Sequence, residues 1–276
     1  MTSIMKSGAL SSLQRAAYLG AVWGILFFIL APLGITIWVA FFSNKIMSFP
    51  PEGYTLEWFI RAWELAAFRN GFLLSAQLAL TAAALGLLLG VPAAIAIARY
   101  RFPGREIINT ALMSPIMVPA IVAGSAIYLF YIEFQIATEV QVAGTLPGLV
   151  ISHTLIAVPW VLRLVTASLV GMDPAIEEAS MSLGASRFTT FRRITLPVIR
   201  PGIIAGGLFA FIVSFGDLEK SLLLVGPGRS TLPIAMLNYL EYRTDPTIMS
   251  VATIQILIIG AALVISDRFV RLSRTF

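Results

Sequence analysis

The chain has 276 residues, 58% of them hydrophobic and only 12% charged, with a net charge of +5. A water-soluble domain of that length needs far more polar surface, so the composition excludes one and leaves an integral membrane protein. With no cysteine and a single histidine, His153, it also excludes disulfides, cysteine nucleophiles and thiolate- or histidine-based metal clusters.

Crossing a bilayer as a helix takes about 20 mostly apolar residues. Six stretches qualify, at 18–42, 72–98, 107–131, 146–162, 202–224 and 248–265. They predict an all-α membrane protein with one six-span domain over residues 1–276. The first stretch is too long for the core of a signal peptide and lacks a convincing small-residue cleavage site, so it is expected to be retained.

With the N-terminus inside, the cytoplasmic cations are Lys6, Arg15, Arg99, Arg101, Arg105, Arg187, Arg192, Arg193, Arg200, Arg268, Arg271 and Arg274. The other side holds Lys45, Arg61, Arg69, Lys220, Arg229 and Arg243. This two-to-one bias places both termini in the cytoplasm. Charge spread over span ends forms no compact basic face, which excludes a nucleic-acid partner.

The loop after the first span carries Tyr54, Trp58, Phe59 and Trp63 at helix-like spacing. It predicts an interfacial helix with tryptophans at headgroup level, or a contact surface for an external protein. Ser114-Pro115 and Pro119 interrupt the third span, as a packing kink or as a break in the helix. His153 in the fourth span is expected to bond a neighbouring helix, in preference to relaying protons. Arg163 lies close enough to an inner end to snorkel.

The fifth span contains Ser214-Phe215-Gly216-Asp217-Leu218-Glu219-Lys220, followed by more apolar sequence. Charges placed so should face protein interior or water, making Ser214, Asp217 and Glu219 candidates for a polar translocation path. The same residues also fit a span that ends near Gly216 with its charges in the headgroup region. Gly226-Pro227-Gly228-Arg229-Ser230-Thr231 fails the spacing of a phosphate loop and reads as a turn. Asp245-Pro246 supplies a start signal for the sixth span.

The segment 173–197 is a polar insert between spans four and five. Asp173-Pro174 starts a short helix that Gly184 can end in a left-handed conformation. Ser186 can cap a second helix, 187–195, expected to break at Leu196-Pro197. Ala175, Ala179 and Ser182 make a small-residue face, and Met181 and Leu183 supply apolar knobs, a surface suited to a partner's groove.

The series Glu178-Ala179-Ser180, then Gly184, then Ile194-x-Leu196-Pro197 resembles the signature of type I permease subunits of bacterial ABC importers. Ser180 replaces the family's second alanine and keeps its small size. The Ser214–Asp217 run, Gly226-Pro227-Gly228 with Thr231-Leu232-Pro233, and Asp245-Pro246-Thr247 are similar to spermidine/putrescine-type permeases. Gly216 and Lys220 depart from their more acidic run.

The resemblance implies a six-helix fold with a cytoplasmic coupling loop in which Glu177, Glu178, Ala179, Met181, Leu183 and Gly184 meet an ATPase. It further implies a bacterial inner-membrane location and a second permease subunit, expected to be a different chain. An ATPase dimer and an external solute-binding protein complete the expected assembly, with lipid around it. The chain itself is expected to carry no catalytic residues, metal or cofactor, since ATP and magnesium belong to the ATPase. The cargo would be a polyamine, an opine or a related organic compound. The alternative is a lone ion-coupled transporter using His153, Asp217 and Glu219.

Overall fold

The computed structural model describes residues 12–272. Lys6 and Arg274, two of the charges counted toward orientation, lie outside the described residues. The elements are α1 (Ser12–Val39), α2 (Glu57–Glu64), α3 (Ala66–Arg99), α4 (Arg105–Met117), α5 (Ala120–Thr138) and α6 (Leu146–Val170). After them come α7 (Pro174–Ser182), α8 (Arg187–Thr190), a π turn (Phe191–Thr195), α9 (Leu196–Phe215), α10 (Glu219–Leu224), α11 (Leu232–Tyr242) and α12 (Thr247–Leu272). Among the described residues six helical stretches are long and apolar enough to span a membrane: Gln14–Val39, Ala66–Arg99, Ala120–Thr138, Leu146–Val170, Arg187–Phe215 and Thr247–Asp267.

The chain divides into two compact units, one of residues 12–61 with Thr244–Ile256, the other of Ala62–Arg243 with 257–272. In the first, Trp58 is almost fully buried and its indole N–H donates to the Phe42 carbonyl at 2.6 Å. Trp58 therefore does not stand at the surface as an interfacial tryptophan would, whereas Trp63 is exposed. The buried carbonyl of Phe42 needs a donor, and the indole supplies it.

The second unit is organised on α3, α6 and α9. Lipid is as apolar as leucine, so helices in a bilayer gain by close van der Waals fit more than by exclusion of water. The sequence provides that fit with small residues. Along α3 the buried stripe includes Ser75, Ala79, Ala82, Ala83, Gly86, Gly90 and Ala94, at helical spacing. A Cβ on Gly86 would stand 2.9 Å from the Cβ of Ala157, and one on Gly90 2.8 Å from the Cγ1 of Val161. On the α9 side, a Cβ on Gly206 would stand 3.0 Å from the Cα of Val161. Val161 thus sits between two glycines, and α6 is enclosed by its neighbours. Ala82, Val161, Leu162, Val165, Leu169, Ile199 and Ala210 form the shared core.

Three expectations are corrected. The third span, 107–131, is two helices: Val118 is extended (φ −86°, ψ 132°) ahead of Pro119, and the span-length helix begins at Ala120. The pyrrolidine ring disfavours helical backbone in the residue before it, which explains the break. The fifth span, 202–224, ends at Phe215, as in the alternative reading that stops it near Gly216, and Gly216–Leu218 separates it from α10. Asp217 and Lys220 are nonetheless buried in the protein. Conversely, the chain does not break at Leu196-Pro197 but runs helically from Arg187 to Phe215. Proline clashes with the carbonyl four residues back. Here the wider π turn, closed by Leu196 N–H donating to the Phe191 carbonyl, makes room for the ring.

Candidate functional site

The α7 segment is a short helix fixed at both ends. The Asp173 carboxylate accepts from Ala175 N–H at 2.9 Å, and Pro174 occupies the first turn, where its missing N–H costs nothing. At the other end Gly184 has φ +89°. Its N–H donates to the Met181 carbonyl at 3.0 Å, and Ala185 N–H donates to the Ser180 carbonyl at 3.2 Å. That pair of bonds is the Schellman arrangement, and the left-handed turn it requires is what the sequence places glycine for. Ser186 then caps α8 by accepting from Thr189 N–H at 3.2 Å.

The helix presents a mixed face outward. Glu178, Ala175, Ala179 and Ser182 are exposed, as are Ile176, Met181 and Leu183, the last 89% accessible. Phe188 of α8 is exposed beside them. Glu177 differs from its neighbours. One carboxylate oxygen lies 3.0 Å from Arg99 Nε at the end of α3, and the other accepts from the hydroxyl of Thr195 in the π turn. These residues line a cavity of about 300 Å³ together with Ile95, Tyr100 and Arg187. Neither Arg99 nor Thr195 was legible as a partner: Arg99 counted only as an orientation marker, and Thr195 only as part of the Ile-x-Leu-Pro run.

A second polar group lies where α9 stops. His153 of α6, 1% exposed, has Nδ1 2.8 Å from Ser214 Oγ and Nε2 3.1 Å from Ser221 Oγ. Ser221 Oγ donates to Asp217 Oδ2 at 3.1 Å, and Ser221 N–H reaches the same oxygen at 3.0 Å. The His153 ring thus bridges Ser214 and Ser221 through its two nitrogens, and Ser221 joins it to Asp217. Lys220 Nζ lies 3.0 Å from Asp217 Oδ1, with both side chains buried. Each Asp217 oxygen is thus occupied. Gly124 of α5 lets this turn approach, since a Cβ there would stand 3.2 Å from the Lys220 Cα.

Of the path candidates, Ser214 and Asp217 therefore come together in this buried cluster with His153, whereas Glu219 is exposed and stands apart. His153 bonds neighbouring helices, as the sequence led one to expect. The ring's second partner, Ser221, carried no sequence signal. Lys220 carried one, its position three residues after Asp217 on a helical turn. Among the described residues no group of three or more His, Asp or Glu side chains could hold a metal ion.

A family model described as "Binding-protein-dependent transport system inner membrane component" matches residues 86–274, which include α7 and the His153 cluster. Among curated proteins the chain is similar to the putrescine transport system permease protein PotI of Escherichia coli (strain K12). The two are 29% identical over 235 residues, covering 85% of this chain and 82% of that one. It is also 31% identical over 231 residues to the spermidine/putrescine transport system permease protein PotC of Haemophilus influenzae, covering 81% and 88%.

Among solved structures, a chain of a bacterial ABC transporter involved in import of the acidic polysaccharide alginate superposes with a TM-score of 0.69. It is 12% identical, over 95% of this chain and 99% of that one. A bacterial alginate ABC transporter in complex with an alginate pentasaccharide-bound periplasmic protein gives 0.61, at 19% identity over 95% and 94%. Both likenesses are in fold.

Proposed function

The chain belongs to the binding-protein-dependent transport system inner membrane components, the permease subunits of ABC importers, and we propose that α7 is its coupling helix and that its cargo is a small organic solute. It is a multi-pass inner-membrane protein, and ATP hydrolysis belongs to a separate subunit. In the proposed assembly an ATPase pair, holding ATP and magnesium, receives the exposed face of α7 through Ile176, Glu178, Ala179, Met181 and Leu183. A second permease subunit, a different chain, completes the path, and an external binding protein delivers the solute. The whole chain acts as one permease domain. Both termini lie in the cytoplasm, the side on which the arginines of α8 and the π turn collect.

The observation that carries this reading is the construction of α7. A polar helix stiffened by an Asp173 cap and a Gly184 turn, yet presenting bare methionine and leucine side chains, is built to be gripped. Being stiff, it passes on a push instead of absorbing it. For the path, the exposed carboxylate of Glu219 is the proposed solute contact, with Asp217 and Ser214 shaping the break behind it. The cargo class, a polyamine, an opine or a related compound, is supported by the names of the relatives alone.

Reconstitution tests it. Vesicles holding this chain with its ATPase, partner permease and binding protein should take up solute only with internal ATP. Uptake by the purified chain alone under a proton or sodium gradient would overturn the reading in favour of an ion-coupled transporter.

A further inference from the structure

We propose that Glu177, with Arg99 and Thr195, is the junction that carries displacement of α7 into the α3–α6–α9 core, and that Glu177 makes no contact with the ATPase. This rests on the reading of α7 as the coupling helix and revises the part Glu177 plays in it.

The geometry separates Glu177 from the rest of its helix. Its side chain is 17% exposed and that of Arg99 15%, while Glu178 beside it is open to solvent. Both carboxylate oxygens are used, and each by a different element. Oε2 faces the guanidinium at the last residue of α3, and Oε1 takes the hydroxyl of Thr195, itself 4% exposed in the turn that leads into α9. Arg99 also extends Nη2 to the Met172 carbonyl at 3.5 Å, two residues past the end of α6. One carboxylate therefore connects α7 to the end of α3 and to the turn leading into α9, and through Arg99 to the loop that follows α6.

The covalent connections of α7 are short loops, 171–173 on one side and 183–186 on the other. The only other side-chain hydrogen bond from α7 among the described residues, Ser180 to Thr190 at 3.0 Å, reaches α8 and not α3. The tie to α3 thus runs through the Glu177–Arg99 pair. A partly buried ion pair is screened far less than an exposed one, and it holds its partners in one geometry. The close glycine contacts among α3, α6 and α9 make that core respond as a body: a packed interface shifts between arrangements and does not deform continuously.

The test uses the complete transporter and needs no knowledge of the cargo. The chain has no cysteine, so with partner subunits freed of cysteine, spin labels can be placed at Pro174→Cys at the start of α7, outside the proposed docking face, and at Leu88→Cys on α3, both exposed in the structure. In the otherwise wild-type complex the label distance should stay the same when ATP is added, because handle and core move together. In Glu177→Ala the ATPase should still co-purify, while ATP should shift or broaden the distance. Exchange of the pair, Arg99→Glu with Glu177→Arg, should restore the invariant distance. If Glu177→Ala does not insert, Glu177→Gln, which retains an acceptor for Thr195, serves in its place. Loss of the ATPase in either Glu177 variant, or an ATP response identical to wild type, would overturn the proposal. Leu183→Glu separates the premise: if that change leaves ATPase co-purification intact, the coupling-helix reading itself fails, whatever the label distances show.

Discussion

Lys220 and Asp217 stand one helical turn apart, and their side chains meet at 3.0 Å inside the protein, away from both lipid and water. Removing one member leaves the other charge buried without its counter-ion, which costs about 3 kcal/mol or more. Lys220→Met should therefore lower the midpoint of thermal unfolding in detergent substantially. Adding Asp217→Asn to it should recover much of the loss, because the pair is then neutral on both sides. A double variant as unstable as the sum of the single ones would show that the two charges do not interact.

The glycines around Val161 give a sharper packing test. Alanine at Gly90 meets the Val161 side chain, whereas alanine at Gly206 meets its Cα. Each should destabilise by roughly 1–3 kcal/mol through overpacking. Val161→Gly removes both atoms that obstruct Gly90→Ala, Cγ1 at 2.8 Å and Cβ at 2.9 Å, and should relieve that clash. It leaves the Cα where it was, so Gly206→Ala should gain little. Unfolding midpoints of the single and paired variants check both halves.

Gly184 has open space around its missing side chain and a φ of +89°. The cost of replacing it is then one of backbone conformation, not of contact. Gly184→Val should lose about 1–2 kcal/mol of local stability at the turn and weaken ATPase co-purification, with membrane insertion unchanged. Gly184→Asn should fall between valine and glycine. Equal co-purification in all of them would detach the turn from the docking function.

The solute contact is tested at Glu219. Glu219→Gln should reduce the initial rate of ATP-dependent putrescine uptake roughly tenfold if the carboxylate draws the solute, and leave ATPase association as it was. Unchanged uptake kinetics in a complex that transports putrescine would remove Glu219 from the path.

Much of this was legible in the residues because it follows from local rules. Asp173-Pro174 and Gly184 fix the ends of α7 through caps and backbone sign, and both act within a few positions of themselves. Four of the six span positions followed from apolar length. What failed was where two local rules compete. Pro119 breaks a helix because nothing relieves Val118, whereas Pro197 does not because the preceding turn widens, and sequence gives no sign of which outcome prevails. The partners of Glu177 and His153 were illegible for another reason. Arg99 is far away in the chain, as is Ser214 from His153, and only the approach of the helices brings them within reach.

The uninterrupted helix from Arg187 to Phe215 has a mechanical consequence. Its 29 residues rise about 43 Å, against an apolar bilayer layer of about 30 Å. An upright rod of that length overhangs the layer by more than two turns. In the proposed orientation the overhang is α8 and the π turn, next to α7, and the remainder up to Phe215 lies in the membrane core. A push on α7 would then enter the end of a continuous helix and reach Phe215, where the chain breaks before Asp217, with no loop between to absorb it. A proline that stopped the helix at Leu196 would have broken that path.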